Sequence, residues 1–531
     1  MTSLSRAVCW CAVALFLAGS LAAAPRPRLV LGITVDQFRY DYLTRFGADY
    51  RGGLRRLLSR GAVFTNARYE HFPTVTAIGH SAIFSGATPS ISGIVGNDWY
   101  DRDERRNVTS VSDDSVRLLG ASGPDFSRPG ASPRRLLVST VGDEMKMAAT
   151  GKSKVIGVSW KDRAAILPAG HMADAAYWFD NATGGFISST FYFPELPAWV
   201  KDFNNSRHCS RYLNAAWAGR KLPGQPGPEL CKALERSPFG NELIELFVES
   251  AVQAERLGQR GATDLLAVSF SANDYVGHEL GPDSSEVREI SIETDKLLEK
   301  LFTFLDTRVG LDHVLVLLTS DHGVSPTPEV NAARRMPGGR ILPGMIQNPV
   351  RAALEKKYGP GQWIVSPSDY SLYFNQDLIR QKGLNPAEVN QLAADVALSI
   401  PHVFRVYTRD QLRNGAALED QVGRRVMNGF YVRRSADVFV LLEPYWIFTR
   451  SGATHGTSFS YDSHVPVIFM GPGIRPGRYH QTISVNDIAP TLATMLEIET
   501  PSGSLGRVLA EILEPESAAA GQRRGAVSGA R

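Results

Sequence analysis

The stretch Leu29-Val-Leu-Gly-Ile-Thr-Val-Asp36 places a carboxylate directly after seven mostly apolar residues. A continuous apolar run of this length is typical of a parallel strand that is buried on both faces of its sheet. Similar runs occur at Lys154–Ser159, Leu265–Phe270 and Val314–Thr319. Polar residues follow each run, as expected where parallel strands end and an α/β fold binds its ligand. The pattern predicts an α/β fold around a mainly parallel sheet.

The segments between these runs support the same fold. Apolar residues recur every three or four positions, which is typical of amphipathic helices. Strands that alternate with helices form βαβ units and therefore a three-layer arrangement, with helices on both faces of the sheet. We predict helices at Gly53–Arg60, Glu242–Leu257, Ser285–Leu305 and Ala387–Ile400, a short strand at Val63–Ala67, and a loop that runs into a short helix at Ser81–Phe84.

Two stretches break this rhythm. Residues from about 176 to 235 are rich in aromatics, Pro and Gly, and residues from about 366 to 448 hold short β-like runs around one helix. We interpret both as cap insertions over the carboxyl edge of the sheet, where such segments often select the substrate. The catalytic domain would span residues 25–514. The small and polar residues 515–531 would form a disordered tail.

Composition excludes several classes of protein. The 531 residues are 43% hydrophobic, which is ample for a large core, and the formal net charge is only +3. A nearly balanced charge without basic runs argues against nucleic acid as a specific partner. Residues 1–24 have a basic start, a short apolar core and a small-residue exit, which predict a signal peptide and a periplasmic or secreted protein. No later segment has the length of a membrane span.

Two cysteines, Cys209 and Cys231, remain in the chain after the predicted signal peptide. In an oxidising compartment an isolated pair is typical of a disulfide. The oligomeric state is left open, with a monomer as one option.

Two residue pairs and two single residues along the sequence are of the types that bind metals. Asp274-Tyr-Val-Gly-His278 places a carboxylate and an imidazole four residues apart, on one face of a helical turn. Asp321-His322 is a second such pair, and Asp36 and His455 add one ligand each. Three Asp and three His form a mixed oxygen and nitrogen set that suits zinc. Two metals roughly 4 Å apart would form a clamp for in-line displacement at phosphorus.

The order of these residues resembles the alkaline phosphatase superfamily over nearly the whole chain. The residues that carry the resemblance are Asp36, Thr76, Asp274-x-x-x-His278, Asp321-His322 and Thr454-His455-Gly456, with the closing stretches Val465–Gly473 and Asn486–Leu492. The resemblance implies two Zn²⁺ per chain, one held by Asp274, His278 and His455, the other by Asp36, Asp321 and His322. It also implies that Thr76 lies on the second zinc as the nucleophile and forms a phosphothreonine.

Two positions have competitors in the sequence. Thr74 lies in the same loop as Thr76, but family members place the nucleophile four residues before a His, which here is His80. His464 competes with His455, although the Thr-His-Gly setting of His455 resembles the family's ligand. The resemblance therefore favours Thr76 and His455.

Three residues bear on the substrate. Asn97 resembles an amide that contacts a phosphoryl oxygen in both the monoesterase and the diesterase branches. Lys161 and Arg163 follow a predicted strand, and strand alternation would place both on one side. They resemble the Lys-x-Arg pair of the broad-specificity, Thr-nucleophile zinc alkaline phosphatases. Such a pair adds charge-assisted hydrogen bonds to the extra charged oxygen of a monoester.

The sequence therefore predicts an exported, zinc-dependent alkaline phosphatase of broad specificity that acts on small phosphate monoesters. The main alternative is a phosphodiesterase or nucleotide pyrophosphatase of the same superfamily. A non-catalytic metal-binding protein is the third hypothesis. The complete ligand set argues against it, because a degenerate site would be expected to have lost a ligand.

Overall fold

A computed structural model describes residues 26–120, 123–365, 368–415 and 420–514. The predicted signal peptide and the predicted tail lie outside these residues. Within them, twelve strands form one large sheet. In chain order the strands are β1 (Leu29–Val35), β2 (Ala62–Arg68), β3 (Leu118–Gly120), β4 (Gly123–Asp125), β5 (Val155–Ser159), β6 (Ala175–Asp180), β7 (Gly185–Ser189), β8 (Asp264–Phe270), β9 (Val314–Thr319), β10 (His464–Met470), β11 (Gly477–Tyr479) and β12 (Ile483–Ser484).

The centre of this sheet is parallel. The strand order is β11-β2-β10-β9-β1-β8-β5-β6-β7-β3-β4, and β12 pairs with β2. Strands β9, β1, β8, β5 and β6 are parallel neighbours, with β1 between β8 and β9. Strand β10 runs antiparallel to β9 and to β2. The carboxyl ends of the five parallel strands therefore meet at one edge of the sheet.

Helices cover both faces of the sheet, because side chains alternate between the faces along each strand. Leu29, Leu31 and Ile33 of β1 pack in one core with the helices Gly53–Arg60, Pro238–Glu255 and Ser285–Arg308. Val30 packs in the opposite core with Thr76–Ser85, Val141–Ala148 and Ile488–Leu496. The predicted three-layer fold is confirmed.

The other helices of the described chain are mostly short and lie in the connections. They are Tyr42–Arg45, Pro89–Ser92, Asp162–Ala169, Ala198–Asn205, Pro228–Glu235, Ala272–Leu280, Pro328–Ala333, Gln347–Tyr358, Gln376–Gln381, Pro386–Leu398, Arg409–Arg413, Gln421–Gly429 and Ser460–Ser463.

A separate small core lies inside the segment that we interpret as the second cap insertion. A three-stranded antiparallel sheet of Ser371–Leu372, Val438–Leu442 and Val403–Thr408 packs against the helix Pro386–Leu398. Its core also takes in Trp363 and residues from Ile341 onward. Phe439 of this unit contacts Phe72, in the loop before Thr76, and both belong to a shared apolar cluster. The unit therefore packs next to the carboxyl edge of the large sheet.

Several predicted elements agree with the structure, and one helix starts earlier than predicted. The bounds of β1, β9 and the helix Gly53–Arg60 are as predicted. The helix predicted at Ser81 begins at Thr76 instead. Its N-cap is Val75, whose side chain makes no capping hydrogen bond, so the sequence carries no polar start signal there.

The cysteines also differ from expectation. Cys209 and Cys231 are buried free thiols in the structure, not a disulfide. The Cys209 thiol donates to the carbonyl oxygen of Gly184, with Sγ 3.7 Å from that oxygen. In the part of the chain that the structure describes, no helix is long and apolar enough to cross a membrane.

Candidate active site

The proposed metal ligands collect at the carboxyl edge of the parallel strands, as the strand ends predict. Asp36 directly follows β1, and Asp321 and His322 follow β9. Asp274 and His278 share the helix Ala272–Leu280 after β8, and His455 lies in the loop before β10. Residues from four separate parts of the chain thus meet at one place.

Asp274, His278 and His455 form the first donor group. His455 Nε2 lies 3.2 Å from His278 Nε2, and the two nitrogens lie 3.9 and 3.3 Å from Asp274 Oδ1. The Nδ1 atom of each ring faces a main-chain carbonyl oxygen. His278 Nδ1 lies 2.9 Å from the oxygen of Ala453, and His455 Nδ1 lies 2.8 Å from that of Thr74. Nδ1 is then the protonated nitrogen, and both Nε2 lone pairs point at the same place as the carboxylate. This donor set fits a divalent cation.

Asp36, Asp321, His322 and Thr76 form the second donor group. His322 Nε2 lies 3.2 Å from Asp321 Oδ2 and 3.4 Å from Thr76 Oγ1. His322 Nδ1 faces the Gly323 carbonyl at 3.0 Å, so Nε2 is the ring nitrogen that faces Asp321 and Thr76. Asp321 Oδ2 is buried and accepts no hydrogen bond from the described residues. An uncompensated buried carboxylate oxygen is costly, and a bound cation would satisfy it.

The two groups adjoin each other. The rings of His322 and His455 stack with centroids 3.5 Å apart, and donor atoms of Asp274, His322 and His455 lie within 4.8 Å of one another. A second set with the same spacing joins Asp36, His80 and Asp321. His322 therefore stands between the two groups.

Sequence reasoning missed three residues that hold these ligands. His80 Nε2 lies 3.2 Å from Asp36 Oδ1 and 3.7 Å from Asp321 Oδ2. The Ser269 hydroxyl donates to Asp36 Oδ1 at 2.7 Å, and Gln37 Nε2 donates to Asp274 Oδ1 at 2.7 Å. The sequence carried a signal for His80, its position four residues after Thr76, but we interpreted that spacing only as support for Thr76. Ser269 had none.

Thr76 opens the helix Thr76–Ser85, so its hydroxyl lies at the positive end of the helix dipole, where an anion is favoured. The helix approaches Asp321 closely at Gly79. A Cβ at Gly79 would lie 2.1 Å from the Asp321 carbonyl oxygen, so a side chain there would push the helix away. Thr74 is placed differently, because its hydroxyl donates to the Thr457 carbonyl at 2.8 Å.

Lys161 reaches the metal-ligand carboxylates directly. Its Nζ lies 2.7 Å from Asp274 Oδ2 and 3.0 Å from Asp36 Oδ2, so one ammonium bridges the two donor groups. Burial by itself would lower the pKa of Lys161, but Asp274 and Asp36 outweigh it and raise that pKa. Burial would raise the pKa of Asp36, but Lys161 and His80 outweigh it and lower that pKa.

Arg163 does not share a strand face with Lys161, so the alternation argument was wrong. Strand β5 ends at Ser159, Lys161 is the N-cap of the helix Asp162–Ala169, and Arg163 lies in its first turn. Lys161 Nζ lies 5.2 Å from the centroid of the Tyr275 ring, and the charges of both Lys161 and Arg163 act to lower the pKa of Tyr275. Arg163 Nε is buried and has no hydrogen-bond partner among the described residues. It is therefore free to donate to a bound anion.

Asn97 and His464 complete the predicted set. Asn97 Oδ1 accepts the Ala77 main-chain N–H at 2.8 Å, which holds Asn97 beside the Thr76 helix and leaves the amide NH₂ as a donor. His464 lies apart from both donor groups. Its ring stacks on Tyr40 at 4.5 Å, and Nε2 lies 3.0 Å from the Thr65 carbonyl oxygen.

The burial of the site shapes the charge of its histidines. Burial lowers the pKa of His322, but Asp321 and Asp274 outweigh it and raise that pKa to about 9. For His455, burial and the neighbouring His322 and His278 lower the pKa far below its ordinary value. His455 is thus a neutral imidazole, the form that binds a metal.

A sequence model of the family described as type I phosphodiesterase / nucleotide pyrophosphatase matches residues 30–464. The chain belongs to this family. The family lies within the alkaline phosphatase superfamily, and the resemblance inferred from the motifs is confirmed.

Named members of the family match nearly the whole chain. Alkaline phosphatase PafA of Elizabethkingia meningoseptica is 36% identical over 92% of this chain and 95% of its own length. Alkaline phosphatase PhoV of Synechococcus elongatus is 38% identical over 92% of this chain and 93% of its own. The crystal structure of wild-type PafA superposes with a TM-score of 0.87 at 36% identity, covering 93% of this chain and 100% of that one. The crystal structure of a PafA variant, in which a threonine, an asparagine, a lysine and an arginine are changed, superposes with a TM-score of 0.86.

Proposed function

We propose that this protein is an alkaline phosphatase that hydrolyses small phosphate monoesters with broad specificity. The observation that carries the proposal is the convergence of Lys161 with Thr76 and both donor groups in one buried site. Family members named alkaline phosphatase match it over nine-tenths of their length. Family membership alone includes diesterases, so the choice of monoesters rests on Lys161 and Arg163.

Two zinc ions are the proposed cofactors. Asp274, His278 and His455 would hold one, and Asp36, Asp321 and His322 the other, with Thr76 beside the second. The inward-facing Nε2 lone pairs and the unsatisfied Asp321 oxygen support this assignment. Bound there, the ions would supply Lewis-acid activation of the attacking hydroxyl and neutralise charge on the departing oxygen.

The chain's own residues then account for the rest of the reaction. The Thr76 oxygen attacks phosphorus, the bond from phosphorus to the ester oxygen breaks, and a phosphothreonine forms. Water hydrolyses that ester and returns the Thr76 hydroxyl with inorganic phosphate. The second hydroxyl in the loop, on Thr74, is already bonded to Thr457, which supports Thr76 as the nucleophile.

Three donors would position the phosphoryl group. The Asn97 amide NH₂, near the start of the Thr76 helix, is free to donate a hydrogen bond. The Arg163 Nε–H, near Lys161, is also free to donate. Bonds from Lys161 and Arg163 to the extra charged oxygen of a monoester would strengthen as the transition state forms. The four residue types Thr, Asn, Lys and Arg are those changed in the PafA variant, which supports the assignment.

The alternative within the family is a phosphodiesterase or nucleotide pyrophosphatase, as the family's description allows. A diester places a substituent where a monoester has a charged oxygen and would leave the buried Lys161 and the half-buried Arg163 without that partner. Export through residues 1–24 belongs to the proposal as well and rests on the sequence pattern alone.

The deciding experiment compares a monoester and a diester that share one leaving group, such as 4-nitrophenyl phosphate and bis(4-nitrophenyl) phosphate. The purified protein is stripped with a chelator, reloaded with zinc, and assayed on both. We expect kcat/KM for the monoester to exceed that for the diester by at least about 10³-fold. The reverse ranking would identify a diesterase, and no zinc-dependent turnover of either would support the non-catalytic alternative.

A further inference from the structure

An apolar cavity of about 90 Å³ adjoins His455 on the side of the second cap insertion. This exceeds the space that one water needs. Its walls come from the loop before Thr76, from the cap sheet, from the short strand Trp446–Ile447 that follows this sheet, and from the His455 loop. Those lining residues include Phe72, Val75, Tyr370, Leu442, Trp446, Phe448 and Phe459.

The chemistry of the walls is uniform. Among the described residues that line the cavity, His455 is the one titratable side chain apart from the phenol of Tyr370, and none is Asp, Glu, Lys or Arg. Aromatic rings approach one another around it, with Tyr370 and Phe448 centroids 6.2 Å apart. A flat apolar group would be well received there, since ring pairs at such distances attract beyond their area burial.

The residue that follows His455 in the cavity wall is a glycine. Gly456 has φ of +111°, a conformation that L side chains rarely adopt. A Cβ there would contact only Val75 Cγ1, at 3.8 Å, so no other wall atom lies close to that point. Residue 456 therefore adds no side chain to the cavity wall next to His455.

In-line displacement fixes which part of a substrate would enter. Thr76 Oγ1 lies with the second donor group, 3.4 Å from His322 Nε2. The departing oxygen lies on the opposite side of phosphorus, toward Asp274, His278 and His455. His455 lines the cavity, whereas Asn97, Lys161 and Arg163 do not. The non-bridging oxygens and the leaving group thus face different parts of the site.

We propose that this cavity is a leaving-group subsite that accepts the aromatic alcohol portion of aryl phosphate monoesters. The proposal rests on the proposed function, because it takes the nucleophile and the metal groups as assigned above. It predicts that aryl phosphates are preferred over small alkyl phosphates and over esters with charged leaving groups. A charged leaving group would lose its hydration against walls that offer no counter-charge.

The test measures kcat/KM for phenyl phosphate and for methyl phosphate in wild type, Phe448→Leu and Phe459→Leu. Each leucine keeps an apolar wall and removes one ring. We expect the ratio of the two kcat/KM values, phenyl over methyl, to fall about tenfold in at least one variant. Phe126→Leu is the matched control, because its ring is 79% exposed and lies outside the cavity.

Inhibition gives a second readout without chemistry. Phenylphosphonate should lose affinity relative to inorganic phosphate in the same variant, by a similar factor. An unchanged ratio in both variants, with their folds intact by circular dichroism, would overturn the subsite. If wild type hydrolyses neither ester, the proposed function fails instead, and phenylphosphonate binding to the zinc-loaded wild type and variants still tests the cavity.

Discussion

His455 Nε2 and His278 Nε2 face each other across 3.2 Å, and both rings are fixed from behind by main-chain carbonyls. Two lone pairs this close repel each other unless a cation or a proton lies between them. The pair is therefore suited to hold a cation, and the backbone carbonyls of Ala453 and Thr74 set the tautomer in which both Nε2 atoms are free to bind it.

Metal removal follows from this arrangement. We expect a chelator to abolish turnover and zinc to restore it, with about two zinc ions per chain by elemental analysis. At zinc concentrations about 1,000 times Kd, each of the two sites would add about 4 kcal/mol, so the melting temperature of the stripped protein should rise by about 8 °C, as measured by calorimetry. Restoration of full activity at one ion per chain would contradict the two-site assignment.

His80 should act as a positioning residue for the second donor group, since its Nε2 lies against Asp36 and Asp321. His80→Asn should weaken zinc binding by about 10- to 100-fold in a chelator competition assay. His464→Asn is the matched control, because that ring bonds the Thr65 carbonyl away from the site. Equal affinities in the two variants would remove His80 from the metal centre.

Thr76→Ala should lower kcat by at least about 10³-fold, because the nucleophile itself is lost. Thr74→Val should retain most of the turnover while losing the bond to Thr457, at a cost of about 1 kcal/mol in unfolding free energy. Mass spectrometry of acid-quenched wild type should locate the phosphate on Thr76. A phosphopeptide that carries the phosphate on Thr74 would identify Thr74, and not Thr76, as the nucleophile.

Replacing Lys161 and Arg163 together by Ala should depress monoester turnover about 10²-fold more than diester turnover. Lys161 also bridges Asp36 and Asp274, so zinc content is measured in parallel to separate substrate effects from metal loss. Lys296→Ala, which breaks an exposed pair with Glu293, is the control for the loss of a cation. Equal losses on both esters would argue against the proposed specificity.

Glu245 offers a pH test far from the donor groups. Its side chain is fully buried, Oε2 lies 2.6 Å from Lys300 Nζ, and Oε1 has no hydrogen-bond partner among the described residues. Burial and Glu249 raise the pKa of Glu245 from 4.5 to about 8. Its contribution to stability is therefore full below about pH 4.5 and is lost as pH rises through about 8.

Glu245→Gln removes that titration. Between pH 5 and pH 8 the unfolding free energy of wild type should fall more than that of the variant, as measured by urea denaturation at each pH. Comparison of the two slopes cancels the other titrating groups. Parallel pH dependences would show that Glu245 has an ordinary pKa in the folded protein.

The positions of Asp36 and Asp321 could be read from the sequence because backbone periodicity is a local property. Apolar runs marked β1 and β9 with the bounds that the structure has, and parallel strands bring their ends to one edge. The Asp274 and His278 pair was equally local, since four residues make one helical turn. Neither inference needed a long-range contact.

Other features depended on the tertiary structure. The helix at Thr76 starts on Val75 without a polar cap, and its place is set by the close contact of Gly79 with Asp321. Lys161 and Arg163 meet near Tyr275 through a strand-to-helix junction, not through strand alternation. The buried Cys209 and Cys231 are free thiols, where an isolated pair in an oxidising compartment indicated a disulfide.

The sequence by itself determined the layered α/β fold and the ligands that follow its strands, because burial on both faces and helical spacing leave their marks in consecutive residues. The tertiary structure alone decided how those ligands are held. His80, Gln37 and Ser269 act on carboxylates from distant segments, and the cavity beside His455 forms between the cap and the Thr76 loop. Contacts of that kind arise only when separate segments pack, so no local pattern records them.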